Sequence, residues 1–325
     1  MTPESIQDQL TKYLTDAHSI EEQALAQMRA APDIAGDPEI ASAFSRHRSE
    51  TEDHERLVRE RLHARGATPA KVKDLVGALT GKGFVAFARS QPDTTGKLVA
   101  HAYSYEHMEL AAYELLGRVA ERAGDIDTVQ VARQIAGQER EMGERLAGLF
   151  DRAVEASLRE VGREDLGEQL EKYLADAHAI ETQALKLLEK APELAGSSTL
   201  ASAYDEHRSE TEEHERLLTE RLDTLGAARS RLKDAVLALG ALNWGAFFRA
   251  QPDTPAKLAA FAYAFEHLEI ASYQLLRRVA ERAGDGETAL LASRVLADER
   301  AAAQRLHSMF EQALDASLHA QGLTV

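Results

Sequence analysis

The chain has 325 residues, of which 44% are hydrophobic and 28% are charged, a balance typical of a soluble globular protein long enough for two domains. Its formal net charge of −16 would repel nucleic-acid phosphates and anionic lipid, so nucleic-acid binding and membrane docking are disfavoured, whereas cations are attracted. Cysteine is absent, which excludes disulfides, thiolate zinc sites and iron–sulfur clusters. Any metal chemistry must therefore use histidine and carboxylate side chains.

The first residues contain no basic region followed by an apolar stretch, so we expect no signal peptide and a cytoplasmic protein. The longest apolar run, from Leu258 to Phe265, is much shorter than the roughly 20 residues that a membrane-spanning helix needs. The sequence therefore predicts no membrane span.

The chain contains an internal repeat. Shifting the sequence by 160 residues aligns 9–158 with 169–318 without a gap, and roughly half of the positions are identical. "HRSETEDHERL" from His47, for example, returns as "HRSETEEHERL" from His207. The repeat predicts two tandem domains, 1–161 and 165–325, joined by a junction short enough that we expect them to pack as an intramolecular pseudo-dimer.

Apolar residues recur every three or four positions within each copy, which is typical of an all-α fold. With a longer connection between the second and third helices, the order favours a ferritin-like four-helix bundle with one crossover. The second copy repeats this plan from about residue 165 to 321. In the first copy we predict helix A over Glu4–Ala30, helix B over Pro38–Arg65, one or two short helices within Thr68–Gln91, helix C from an N-cap at Thr94 to Gly124, and helix D over Ile126–Glu160.

Several polar residues fall on the helix faces that should be apolar. On helix A, Glu21 lies in line with Leu14 and Ala24, whereas its neighbour Glu22 points elsewhere and is replaced by threonine in the second copy. On helix B the inward face includes His47, Glu50 and His54. Each of these inward residues is retained in the second copy, as Glu181, His207, Glu210 and His214.

Helices C and D carry the same signal. Glu106 and Glu109 lie on one side of helix C, within one turn, and Glu139 is the one acid of its neighbourhood on helix D that stays acidic in the second copy. Counted from the turns that join the helices, the inward glutamates lie at levels that agree within about one turn. The equivalents are Glu266, Glu269 and Glu299.

Several carboxylates buried together would repel one another unless they were protonated or bound cations. Glutamate and histidine from four helices form the ligand set of a dinuclear iron or manganese carboxylate centre, and oxygen-rich ligation suits these metals better than structural zinc. The spacing leaves open whether His47, His54 or both bind metal. His18 and His178 fit core positions, and tyrosines such as Tyr113 fit either the core or a hydrogen bond to a ligand. The predicted metal ligands are Glu21, His47, Glu50, His54, Glu106, Glu109, Glu139, Glu181, His207, Glu210, His214, Glu266, Glu269 and Glu299.

The pattern Glu-His-x-Glu-aliphatic-Ala-x-Tyr, at Glu106–Tyr113 and again at Glu266–Tyr273, resembles the YciE/YciF-like family of ferritin-like stress proteins. Matches on helices A and B extend the resemblance over both copies. The resemblance implies a dimeric four-helix bundle with a metal centre, expressed under stress, and it implies no known reaction. The family's candidate ligands match the predicted set except at His54, and helix D lacks the histidine that follows the ligand glutamate in ferritin-like oxygen enzymes.

Two functions remain open at this stage. The preferred one is a metal-binding protein with one dinuclear iron or manganese site per copy, in which Glu109 and Glu269, with Glu50 and Glu210, bridge the two ions, and in which oxygen or peroxide is the oxidant. The alternative is a non-enzymatic stress-response module that binds a protein partner and holds structural metal or none. The sequence does not decide whether the fused pair assembles further.

Overall fold

The computed structural model describes residues 5–68, 94–159, 162, 165–226 and 253–323. The chain divides into two compact units, one within residues 1–159 and one within residues 160–322. All regular secondary structure in the described residues is helical, which confirms the prediction of an all-α chain with two bundles. None of the described helices has the length and apolarity needed to cross a membrane.

The helices follow the predicted order in both units. The short helices predicted within 68–91 fall on residues 69–93, outside the described part of the chain. In the first unit the helices are α1 (Ile6–Met28), α2 (Ala31–Ile34), α3 (Pro38–Ala64), α4 (Thr94–Ala123), α5 (Ile126–Ala147) and α6 (Phe150–Leu158). In the second unit they are α7 (Leu166–Leu188), α8 (Ala191–Leu194), α9 (Ser198–Leu225), α10 (Thr254–Ala283), α11 (Gly286–Ser308) and α12 (Phe310–Ala320).

Local sequence explains where the long helices begin and end. The carboxylate of Asp37 accepts hydrogen bonds from the backbone N–H groups of Glu39 and Ile40, and Pro38 occupies the first helical position of α3. Asp125 caps α5 in the same way, by accepting from the N–H of Thr128 at 3.0 Å. Gly124, just before that cap, has a φ of 70°, a conformation that ends α4 and that glycine adopts without steric penalty.

Helix D differs from its prediction, because it is broken into α5 and α6 instead of running unbroken to residue 160. At the break the N–H of Leu149 bonds to the carbonyl of Leu146 at 2.9 Å, a tighter turn than an α-helix makes. The second unit breaks at the equivalent Met309, so the break does not depend on Gly148. Apolar spacing continues through the break, since Leu146 and Phe150 are both buried, and periodicity therefore gave no sign of it.

The four long helices of each unit form one ring. In the first unit α1 packs on α3 and α4, and α5 packs on the same two helices, which places α3 and α4 at opposite corners. The end of α3 and the beginning of α4 therefore lie on diagonally opposite helices, which is the helix arrangement predicted for a bundle with one crossover. In the second unit α7 and α11 each pack on α9 and α10. Leucine and phenylalanine side chains are buried in both units, and each unit also buries a layer of glutamate and histidine side chains.

Candidate metal centre

The buried polar layer of the first unit contains a first group of donors from three helices. His47 of α3, Glu106 and Glu109 of α4 and Glu139 of α5 each offer an atom, and these atoms all lie within 4.8 Å of one another. Nε2 of His47 is 3.0 Å from Oε2 of Glu106 and 3.4 Å from Oε2 of Glu139. All four side chains are buried, so the group is closed to bulk water.

A second group lies beside the first and shares one carboxylate with it. Glu21 of α1, His54 of α3 and Glu139 offer atoms within 4.8 Å of one another. Nδ1 of His54 is 2.8 Å from Oε1 of Glu139 and 3.8 Å from Oε1 of Glu21. Glu139 therefore directs one oxygen toward each histidine. The predicted bridging role of Glu109 differs from this geometry, because Glu109 belongs to the first group alone and Glu139 is the residue common to both.

Glu50 is placed differently from the other predicted ligands. Its Oε2 accepts a hydrogen bond from Nδ1 of His47 at 3.0 Å and lies 3.9 Å from a guanidinium nitrogen of Arg145. Its side chain is 26% exposed, and neither donor group of the first unit includes it. The hydrogen bond fixes the His47 ring so that Nε2 faces the donor group, which is how carboxylates orient metal-binding histidines. Glu50 therefore lies behind a donor instead of among the donors.

The second unit repeats this arrangement. Its groups are His207, Glu266, Glu269 and Glu299, and Glu181, His214 and Glu299, so the shared carboxylate is Glu299. Nε2 of His207 is 2.8 Å from Glu266, and Nδ1 of His214 is 2.8 Å from Glu299. Glu210 accepts from Nδ1 of His207 at 3.1 Å and pairs with Arg305, in the place that Glu50 and Arg145 take in the first unit.

The repeat has a counterpart among known protein families. The family described as "Domain of unknown function (DUF892)" matches residues 5–159 and, a second time, residues 165–319. The chain belongs to the DUF892 family. No solved structure matches the chain. Each DUF892 domain thus holds one pair of buried donor groups, and the two matched segments correspond to the two copies of the internal repeat.

The two donor groups of a domain together form what we call its donor layer. The pKa values of its side chains show what this layer requires. Burial raises the pKa of Glu21 to about 8 and that of Glu139 to about 7, and it raises the pKa of Glu109 well above the usual range of a carboxyl group. Both oxygens of Glu109 lack a hydrogen-bond partner among the described residues. A buried carboxylate without a partner is unfavourable, so the layer needs either protons or cations.

Cations fit this donor set. Four buried carboxylates and two neutral imidazoles carry four negative charges in each domain, which two divalent ions would neutralise. Oxygen and imidazole donors from the facing helices of a bundle are typical ligands of divalent first-row metals. Both DUF892 domains therefore have buried histidine and glutamate groups that can hold metal ions.

The surrounding residues hold the donors in place. Tyr113, which the sequence allowed either as core or as a partner of a ligand, is buried and donates a hydrogen bond to Glu21. His18 lies outside the donor groups and contacts Oε1 of Glu55 at 2.9 Å through Nε2, as expected of a histidine in the core.

The sequence analysis did not select Gln138. Its Oε1 lies 3.1 Å from Nε2 of His54, so it supports that ring from outside the donor layer. The one feature of the sequence that pointed to a supporting role for Gln138 was its position directly before Glu139.

Proposed function

We propose that each DUF892 domain holds a dinuclear iron or manganese carboxylate centre and that the chain is a ferritin-like protein of the YciE/YciF type. In this proposal the protein binds the metal and, with iron, oxidises it with dioxygen or peroxide during stress. One observation carries the proposal: a single buried carboxylate, Glu139 or Glu299, is shared by two donor groups that each have their own histidine. Two adjacent groups with one common carboxylate support a site for two ions instead of one.

The chemistry of the donors supports iron or manganese. Each domain offers glutamates from three of its long helices and two histidines from the fourth. No thiolate is available, because the sequence contains no cysteine. Hard carboxylate oxygens with imidazole nitrogens favour these metals over a four-coordinate structural zinc site. Helix α5 lacks the histidine that ferritin-like oxygen enzymes carry there. A second histidine on α3 offsets this absence, because His47 and His54 lie two turns apart on one face of the helix.

Bound iron or manganese supplies one-electron redox chemistry toward dioxygen or peroxide. The residues of the chain prepare the site for it. Glu50 accepts the Nδ1 proton of His47, which leaves Nε2 as the donor nitrogen, and Gln138 does the same for the opposite nitrogen of His54. Tyr113 holds Glu21 through its hydroxyl, and burial of the layer keeps competing water out.

The source of electrons follows from the composition. Without cysteine the chain has no iron–sulfur or thiol route for electrons, so in the proposed reaction ferrous ions are the substrate and each gives one electron to the oxidant. Among the residues predicted as ligands, Glu50 and Glu210 are the partly exposed ones, with side chains 26% and 32% exposed.

The test begins with protein purified without chelator. We expect elemental analysis to give close to two iron or manganese ions per domain, and ferrous oxidation to be faster with the protein than in buffer. The double variant Glu139→Gln/Glu299→Gln, which removes the carboxylate common to both groups of each domain, should lose metal and activity. Glu141→Gln, at an exposed position of α5 that is alanine in the second domain, should lose neither.

Two results would count against the proposal. If metal is absent and does not bind on addition, the donor layer is a protonated core and the alternative, a non-enzymatic module, is favoured. If iron binds but is oxidised no faster than in buffer, metal binding stands and the oxidation step is wrong.

A further inference from the structure

The two domains differ at one position directly behind a donor histidine. In the first domain Oε1 of Gln138 lies 3.1 Å from Nε2 of His54. In the second domain the equivalent residue is Asp298, whose Oδ2 lies 3.4 Å from Nε2 of His214. The other donor histidine has the same partner in both domains, glutamate at Glu50 and at Glu210. The outer support of the second site therefore carries one more carboxylate than that of the first.

A carboxylate behind an imidazole changes what the imidazole can donate. It accepts the proton of the outer ring nitrogen, fixes the ring and makes the inner nitrogen a stronger donor, whereas an amide oxygen fixes the ring without adding charge. The extra negative charge also attracts a divalent ion through Coulomb's law. Because the Asp298 side chain is 47% exposed, solvent screens part of this attraction, and the effect belongs at the lower end of the range for such partners.

We propose that the two metal centres are not equivalent, and that the centre of the second domain binds a divalent cation more tightly because Asp298 supports His214 where Gln138 supports His54. This inference rests on the proposed function. Asp298 acts here as a positioning residue through His214. The consequence is ordered loading, in which the second domain fills first as the concentration of metal rises.

Manganese(II) alone, under anaerobic conditions, is the probe. The full chain is made in two forms that each keep one centre, by Glu269→Gln/Glu299→Gln for the first domain and Glu109→Gln/Glu139→Gln for the second. Binding is measured by calorimetry and by the electron paramagnetic resonance signal of free manganese. We expect the second centre to bind roughly tenfold more tightly than the first.

Isosteric exchanges assign the difference to this position. Asp298→Asn should weaken the second centre toward the affinity of the first, and Gln138→Glu should tighten the first centre. The exchanges separate this effect from the other changes near the sites, such as Phe44 and Met142, which are Tyr204 and Ala302 in the second domain. Circular dichroism of the metal-free variants should show unchanged folding, since Asp298 is half exposed.

The outcomes separate the inference from the function on which it rests. Equal affinity of the two centres, or a difference that the exchanges leave unchanged, overturns the role of Asp298 while the metal-binding function stands. Failure of both single-centre chains to bind manganese, when the wild-type chain also fails, removes the proposed function itself. If the wild-type chain binds manganese but a single-centre chain does not, the Gln138 and Asp298 exchanges are made in the wild-type chain instead. Each exchange is then judged by whether it changes the affinity of the corresponding class of sites in the two-class binding isotherm, and an unchanged isotherm overturns the inference.

Discussion

The hydroxyl of Tyr113 donates a hydrogen bond to the buried carboxylate of Glu21, and Tyr273 makes the same bond to Glu181. Each pair joins the first and third long helices of its unit inside the donor layer. The Tyr113 hydroxyl donates to one carboxylate oxygen of Glu21, and the other oxygen, Oε2, has no hydrogen-bond partner among the described residues. The tyrosine is therefore an important hydrogen-bond donor to this carboxylate.

Replacement of Tyr113 by phenylalanine should lower both stability and metal affinity. Removing the donor leaves a buried carboxylate oxygen without a partner, so we expect the free energy of unfolding of the metal-free protein to fall by about 1 to 3 kcal/mol. Manganese affinity of the first domain should also fall, because Glu21 is no longer held in place. Chemical denaturation and calorimetry measure the two effects.

Tyr105→Phe is the matched control for this substitution. Tyr105 is also buried on α4, but its hydroxyl donates to the backbone carbonyl of Ile20 at 3.1 Å and not to a carboxylate. We expect a loss of stability of about 1 kcal/mol without a change in manganese affinity. Equal effects of the two substitutions on affinity would show that the bond to Glu21 has no part in holding metal.

The carboxylate of Glu139 should matter more to metal content than any other in its domain. Because it belongs to both donor groups, Glu139→Gln is expected to release both ions of the first domain and leave the second domain loaded, which halves the metal content of the chain. Elemental analysis after gel filtration measures this. Loss of a single ion would mean that the two groups are filled independently.

Stability of the metal-free protein should decrease as the pH rises. Burial raises the pKa of Glu21 to about 8 and that of Glu139 to about 7, against an ordinary value of 4.5. At a pH between 4.5 and the raised pKa, each of these carboxyl groups keeps its proton in the folded state and has lost it in the unfolded state. The free energy of unfolding must then fall with rising pH across that window. Burial opposes a charge on His214, but Glu299 outweighs it and raises the pKa of His214 to about 9, which adds a loss of the same sign.

The acid side of the profile has the opposite sign. The hydrogen bond from His47 lowers the pKa of Glu50, and the stability that this bond contributes is present above pH 4.5 and is lost as the pH falls through the lowered value. We therefore expect the chelator-treated protein to have its highest melting temperature near about pH 5.

Metal reverses the trend above that optimum. Cations replace the protons of the donor layer, so the stabilisation they give increases with pH. The difference in melting temperature between manganese-loaded and chelated protein should therefore widen from about pH 5 to about pH 8, as measured by scanning calorimetry. A constant difference over this range would mean that metal does not compete with protons in the layer.

Much of the fold and most of the donor layer could be predicted from the sequence, because the repeat gave an internal comparison. Glu22 and Glu141 are acidic in one copy only, and both lie outside the donor groups, whereas Glu21 and Glu139 are acidic in both copies and lie within them. Helical periodicity then placed these residues on inward faces. The pattern specifies a face and a level along the helix, and this information suffices to bring residues into one layer.

The sequence could not show which atoms meet within the layer. Glu139 lies in the middle of its buried stripe, four residues after Ile135 and three before Met142, and it lies between the two histidines. Glu50 lies at the edge of its stripe, directly before Thr51, and contacts His47 from behind. Periodicity gives the face of each residue, but the atoms that meet also depend on rotamers and on the packing angle of α3 against α5. The break at Leu149 was missed for a related reason, because the apolar spacing is the same on both sides of it.

Glycine positions give a test of the fold that is independent of metal. Gly36, between α2 and α3, has a φ of 65°, and a Cβ atom added there would lie 2.5 Å from Oγ1 of Thr95 on α4. A side chain at this position is disfavoured both by the left-handed backbone and by the collision with α4. We expect Gly36→Ala to lower the free energy of unfolding by about 1 to 3 kcal/mol. The second unit keeps glycine at the equivalent Gly196, which supports the same requirement.

Gly137→Ala is the matched substitution with the opposite expected sign. Gly137 lies within α5, a Cβ atom added there would meet nothing within 4 Å, and the second unit already has Ala297 at this position. Alanine favours a helix over glycine by about 1 kcal/mol, so this change should stabilise the first unit by up to that amount. Urea denaturation of the two variants in the presence of chelator compares them directly. If Gly36→Ala were as stable as Gly137→Ala, the left-handed conformation of Gly36 and its close approach to Thr95 of α4 would both be contradicted.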